Sequence, residues 1–218
     1  MQIKKSKMPR SWPVPRKSNK KRYIAAPSHS LNKSISILFI LRDILKLAKS
    51  RKEVKHILSE GEVKINSTAR KNENFPVQIF DTVSLEKMKK FYRLEIINGK
   101  FSLSEIKQSE TTKKIVKILG KTILKKNVLQ MNLEDGSNLL TKLKFEVGDS
   151  VILDTKEKKI EKILPLKPKA KVEIILGKHA GEKGELVAIE DLRKGKTYKV
   201  KLEKAEVSLP YKTLLVIN

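Results

Sequence analysis

The chain has 218 residues, with 49 Lys or Arg against 24 Asp or Glu, a formal net charge of +25. Within a Debye length, roughly 8 Å at physiological salt, such a surface repels itself, so a counter-charge is expected: nucleic acid, an anionic membrane face or an acidic protein. Membrane is set aside because the longest apolar run, ISILFILRDILKLA, is broken by Arg42 and Asp43, whereas a span needs about 20 uncharged residues. The absence of cysteine excludes disulfides and thiolate metal sites. No apolar run at the N-terminus resembles a signal peptide, which points to the cytoplasm. At 39% hydrophobic and 5% aromatic residues, the chain reads as several small modules with no large core.

Residues 1–33 show no hydrophobic periodicity and are predicted to be disordered or extended in isolation. Within them, KKSKMPRSWPVPRKSNKKR (4–22) holds nine basic residues, three prolines, the chain's only tryptophan and no acid. Lys4, Lys5, Lys7, Arg10, Arg16, Lys17, Lys20, Lys21 and Arg22 therefore read as a phosphate-binding arm, which would gain affinity by releasing counterions from nucleic acid. Trp12 has two readings, a satellite core residue or a ring that stacks on an unpaired base.

Two helices are predicted next. SISILFILRDILKLAK places Leu38, Leu41, Leu45 and Ala48 on one face, and at 100° per residue Arg42, Lys46 and Lys49 share an adjoining arc. SRKEVKHILSEG carries a capping box in Ser50 and Glu53 and a stop at Gly61. Its apolar arc is Val54, Ile57 and Leu58, with Arg51, Lys52 and Lys55 opposite. EVKIN and FPVQIFDTVSL follow as strands. A single basic stripe is usually a solvated face; two on adjacent short helices, beside a basic arm, point to a surface that tracks phosphates.

From residue 87 the pattern is all strand. FYRLEII and KFSLSEI flank Asn98-Gly99, a strong hairpin signal, and KQSETTKK carries a helical turn. IVKIL, VLQMNL, NLLTKL, DSVILD and KIEKILPL then read as a small barrel. PLKPKAK reads as a linker, and KVEIIL, GELVAIE, TYKVKLE, AEVSL and KTLLVIN as a second β unit.

Signals for chemistry are lacking. ILGKT (118–122) resembles the end of a phosphate-binding loop, but Ile115 stands where that loop needs glycine. Gly177, Gly181 and Gly184 have neither the dinucleotide spacing nor a following helix. His29, His56 and His179 are too scattered for a metal site. No catalysis, cofactor, metal or small-molecule substrate is expected.

The segment LFILRDILKLAKSRKEVKHILSEGEVKINSTARKNENFPVQIFDTVSL resembles the RNA-binding domain first named from ribosomal protein S-four, with Ser67 where that pattern has glycine. VEIILGKHAGEKGELVAIE is similar to a KOW motif, a glycine-rich turn on an SH3-like barrel that meets RNA. The order MPRSWPVPRKS, LRDIL, FYRLE, GKTILKKNVLQMNLEDGSNLL, GDSVIL, GKHAGEKG and LLVI resembles the S-four, e-type family of archaeal and eukaryotic small-subunit ribosomal proteins across nearly all of the chain, and the compact length points to an archaeal-type member. The resemblance implies an α+β, multi-module fold: a basic disordered extension (1–33), an ααβ-type RNA-binding domain (34–86), a central β-barrel (87–166) and a KOW barrel (167–218). It further implies a structural protein that binds small-subunit rRNA beside neighbouring ribosomal proteins, with Arg70, Lys71, Lys178 and His179 joining the RNA contacts. A free-standing RNA chaperone or translation-associated factor, and an RNA-modifying enzyme, are the alternatives; the second would need a catalytic domain for which no residues remain.

Overall fold

Strand β1 (Gln2–Lys4) pairs antiparallel with β2 (Tyr23–Ala25), so the N-terminal segment is a ribbon and not a disordered arm. The computed structural model describes residues 2–17, 22–124, 128–192, 195–203 and 205–217; Lys20 and Lys21 of the predicted arm lie outside the described residues. The chain divides into two units, Met1–Thr112 and Lys113–Asn218, and is mostly β with few helices. Among the described residues, no helix is long and apolar enough to cross a membrane.

In unit 1 the segment between β1 and β2 is held by its own apolar residues. Met8 is 1% and Trp12 2% exposed. The indole ring lies 5.3 Å from Phe39 at a tilt of 57°, and its Nε1 donates to the Leu31 carbonyl at 3.0 Å. Ser11 accepts from the Phe101 amide at 2.8 Å. The prediction of a disordered or extended segment rested on its missing periodicity and its prolines; two large apolar side chains among the basic residues were enough to seat it. Of the two readings of Trp12, the structure supports the core residue, because a base cannot stack on a ring already packed against Phe39.

Strand β3 (Ser34–Ser36) leads into a helical segment shorter than predicted: α1 (Ile37–Phe39) continues as a π-helical turn over Ile40–Ile44. Leu45 N–H bonds to Ile40 and Leu47 N–H to Leu41, and Lys46 turns left-handed at φ +54, which ends the helix. All of residues 34–41 are buried, so packing around the whole circumference overrides a one-faced helical stripe. Helix α2 (Arg51–Ser59) forms as predicted. Ser50 Oγ accepts from the Glu53 amide at 3.3 Å, the Glu53 carboxylate takes the Lys49 amide at 2.8 Å, and Gly61 closes the helix at φ +74. Val54 and Leu58 face the core.

The helices accompany a five-stranded sheet ordered β5 (Thr68–Ala69), β4 (Val63–Ile65), β7 (Thr82–Leu85), β8 (Lys90–Ile97) and β9 (Lys100–Glu105); β3 pairs separately with β6 (Pro76–Gln78). The boundary expected at 86/87 therefore fails: β8 and β9 extend the sheet begun by β4 and β7, with Thr82 opposite Arg93 and Leu85 opposite Lys90. Between β4 and β5, Asn66 (φ +48) and Ser67 (φ +66) make the left-handed two-residue turn that a glycine at 67 would have favoured. Asn66 locks it by donating to Asp81 at 2.9 Å and accepting from the Thr82 amide at 3.0 Å.

Unit 2 contains two five-stranded antiparallel sheets. The first runs β12 (Asn138–Thr141), β11 (Leu129–Leu133), β10 (Lys113–Ile123), β13 (Ser150–Asp154), β14 (Lys159–Leu164). Residues 113–117 of β10 pair with β13 and 118–123 with β11, the register shifting between Ile118 and Gly120, so one bent strand serves both halves. The second sheet runs β18 (Glu206–Pro210), β17 (Gly195–Leu202), β16 (Lys183–Leu192), β15 (Lys171–Ile174), β19 (Leu214–Val216). Its core of Val172, Ile174, Leu186, Val200 and Leu214 takes in Leu164 from β14. Lys117, fully buried on β10, donates to the carbonyls of Tyr211 and Leu214, and the Val216 amide donates to Ser150 Oγ at 2.9 Å. The predicted linker is also stitched down: Lys169 N–H bonds to Leu186 O at 2.7 Å, and Leu186 N–H to Ala170 O at 3.0 Å. Two barrels joined by a free linker were expected; buried contacts across residue 166 unite them.

Candidate nucleic-acid interface

A cleft of about 990 Å³ opens in unit 1 between the N-terminal ribbon and the segment 38–51. Lys5 from the turn after β1, Arg42 from the π-helical turn, and Lys46, Lys49 and Arg51 line it, with Asp43 as the one acid among them. The predicted arc of Arg42, Lys46 and Lys49 thus converges by a different route. The helix that should have aligned them ends at Lys46, and the irregular turn that follows delivers Lys49 and α2 to the same wall. Lys46 and Lys49 are exposed.

These cations are not equivalent. Arg42 chelates its neighbour Asp43, Nη2 to Oδ2 at 2.8 Å, while its guanidinium carbon lies 5.4 Å above the Phe39 ring. Arg51 forks onto Glu73, with Nε 2.8 and 2.9 Å from the two carboxylate oxygens and Nη2 on one of them. Glu73 is 6% exposed, and hydrogen bonding from Arg51 is the main reason its carboxyl is held below the usual range. The same bonds raise Arg51 above its ordinary value. Lys55 adds a weaker approach to Glu73 at 3.9 Å. Arg51, Lys52 and Lys55, which share one predicted arc, thus differ in their surroundings. Arg51 is half in water but carries an internal counter-charge, whereas Lys52 is exposed and has no acidic partner among the described residues.

Beyond the cleft, Arg70 lies 4.3 Å over the Phe75 ring, its buried Nε without a hydrogen-bond partner among the described residues, and Lys71 is exposed. Lys4, Lys7, Arg10, Arg16, Lys17 and Arg22 are all exposed, while Met8 and Trp12 between them face inward. Arg16 reaches back to donate to the Met8 carbonyl. The ribbon therefore has a basic outer face and an apolar inner face.

In unit 2, Lys178 and His179 occupy the turn between β15 and β16. Gly177 (φ +104) and Gly181 (φ +91) supply left-handed conformations there, and Gly181 N–H closes the turn on Ile174 O at 2.8 Å. Lys178 is exposed; His179 Nδ1 sits 3.2 Å from Glu182. Gly184 has a different reason to be bare. It pairs with Leu202, and a Cβ there would lie 2.5 Å from the Lys201 carbonyl oxygen. That glycine serves strand packing and not an approach to a ligand.

Sequence reasoning missed Tyr23. It lines the cleft and is 51% exposed. The signal was present as an aromatic ring at the end of the basic run KKRY, but Trp12 drew the stacking role. Among the described residues, no group of three or more His, Asp or Glu could hold a metal ion.

A model of the ribosomal family S4e matches residues 88–160. Small ribosomal subunit protein eS4 of Methanosphaera stadtmanae is 36% identical over 208 residues, 94% of this chain and 86% of that protein. The eS4 protein of Pyrobaculum aerophilum is 32% identical over 212 residues, 94% and 89% of the two chains. Among solved structures, 30S ribosomal protein S4e from Thermoplasma acidophilum is similar with a TM-score of 0.73 at 26% identity, covering 85% of this chain and 95% of that one. Relatives of this identity, matched over most of their length, make the chain a member of the eS4 family of small ribosomal subunit proteins.

Proposed function

We propose that the protein is a structural constituent of the small ribosomal subunit in the cytoplasm, binding small-subunit rRNA and neighbouring ribosomal proteins and supporting subunit assembly and translation. It works without a cofactor and catalyses nothing. The observation that carries the reading is the relation to eS4 proteins over most of both chains; the convergence of Lys5, Arg42, Lys46 and Lys49 on one cleft supplies its physics. In this reading, the S-four-type RNA-binding part lies within unit 1, and the second sheet of unit 2 belongs to a KOW module with its turn at Gly177–Gly181. The basic outer face of the ribbon and the cleft rim gather phosphates. Helix α2 docks by shape on a duplex or junction, because the major groove of A-form RNA is too narrow to read. Lys178 and His179 add a second point of contact.

Sedimentation of the native protein from a cell lysate, with and without RNase, tests the reading. Stoichiometric co-migration with the small subunit, lost on digestion, is the expected result. A peak near the top of the gradient, with only a trace on ribosomes, would overturn it in favour of a dissociable RNA-binding factor.

A further inference from the structure

We propose that the unit 1 cleft receives an unpaired nucleotide of the bound RNA, with the base stacked on Tyr23 against the apolar floor and the flanking phosphates on the basic rim. The inference rests on the rRNA-binding reading and adds a residue-level contact to it.

The cleft's composition is the first argument. A surface that only gathers phosphates needs cations and backbone N–H groups, and gains nothing from apolar walls. Here Val14, Ile24, Leu38 and Phe39 line the same space as Lys5, Arg42, Lys46 and Lys49. Apolar walls with a few convergent polar groups suit a flat heterocycle with a charged tail. The volume, about 990 Å³, lies at the upper end of small-ligand sites, which run roughly 300–1,000 Å³. It holds a base and leaves room for the backbone on either side.

Tyr23 is the second argument. It is an aromatic side chain half in water beside a concentration of positive charge, and unpaired RNA bases are held by such rings. Its backbone is fixed by pairing with Lys4, so the ring stands on a ribbon and not on a free arm. Trp12, the other aromatic residue of the segment, is already engaged with Phe39.

Asn74 also lines the cleft and adds an amide to its polar wall. A free nucleotide is the poorer fit, since no glycine-rich loop cradles a terminal phosphate and the exposed lysines of the ribbon extend the positive surface along a chain.

The test measures binding of the full-length protein to a small-subunit rRNA transcript across a salt series, for wild type, Tyr23→Phe and Tyr23→Ala. Stacking is not ionic, so Tyr23→Ala should weaken binding about 5- to 150-fold at every salt concentration with an unchanged slope, while Tyr23→Phe binds like wild type. Emission from Trp12 reports whether the variants keep the ribbon seated. Ultraviolet crosslinking of the wild type should join Tyr23 to a base. If Tyr23→Ala, with its ribbon seated, binds as tightly as wild type, the nucleotide pocket is wrong and the rRNA reading stands; crosslinks confined to the lysines would overturn the pocket in the same way. If wild-type binding shows no salt dependence, the phosphate-gathering surface fails, and the pocket with it.

Discussion

The two units differ in whether they take lysines inside. Among the described residues, the buried charged side chains of unit 1 are carboxylates only, Glu73 and Asp81, and its cations stand at the surface. Unit 2 buries two carboxylates as well, Asp149 and Glu173, but also takes two lysines inside: Lys117, capping the Tyr211 and Leu214 carbonyls, and Lys114, 3.0 Å from Asp135. At Asp135, burial raises the carboxyl, but the Lys114 ammonium and the Ser137 hydroxyl and amide outweigh it, and the net displacement is downward. In unit 1 a buried acid, Glu73, holds a surface cation; in unit 2 a buried cation, Lys117, holds the fold.

The sharpest way to break this comparison is Lys117→Ala. It removes a fully buried stem and leaves two carbonyls without their donor, at a cost of about 3 kcal/mol or more. Guanidinium unfolding reads the loss; if stability is retained, Lys117 is not structural. Next comes Gly184→Ala, which forces a methyl into the Lys201 carbonyl and should cost about 1–3 kcal/mol. RNA affinity of the folded fraction should be unchanged, and a selective loss of RNA binding would show that Gly184 faces the ligand.

Glu73→Gln tests the acid side. It should lower stability at neutral pH by about 1–2 kcal/mol, a figure reduced because Arg51 is half in water. Because Arg51 is released, RNA binding should become steeper in salt, by about one phosphate contact. The pH dependence has a definite sign. The folded-state value of Glu73 lies below that of an unfolded Glu, about 4.3, so its contribution is present above that pH and is lost as pH falls through the lower folded value. The Gln variant should show a shallower acid limb in thermal melts. An RNA affinity that falls in this variant would mean that Glu73 positions Arg51 for RNA instead of restraining it.

The smallest expected effect lies at the β4–β5 turn. Ser67→Val places a β-branched residue at φ +66 and should destabilise by about 1–2 kcal/mol, whereas Ser67→Gly should be neutral or stabilising by less than about 1 kcal/mol. Equal stability of the two variants would refute the left-handed turn.

Legibility followed the range of the interactions. Helix α2 could be read directly because its cap, Ser50 with Glu53, is local, and the strands from β8 onward could be read because alternation and Asn98-Gly99 are local too. Within the predicted first helix, the apolar stripe was a true signal of burial but not of conformation, since residues 34–41 are buried on every side. The Arg51–Glu73 pair joins residues 22 apart, and Lys117 meets carbonyls 94 and 97 positions away; no periodicity announces either. The candidate cleft was legible as a set of basic residues. Its apolar floor and Tyr23 became visible only when pairing of β1 with β2 folded the ribbon over it.

The seating of Trp12 also orders events in time. Its packing partner Phe39 and the Phe101 amide that bonds Ser11 are both made after it. On a chain synthesised from its N-terminus, the basic ribbon must emerge unanchored and wait for β9 before its apolar side can be covered. During that interval its lysines and arginines are free to meet polyanions without the geometry that later selects among them. Completion of unit 1 therefore ends a period of promiscuous capture, and the burial of a single indole marks when it closes.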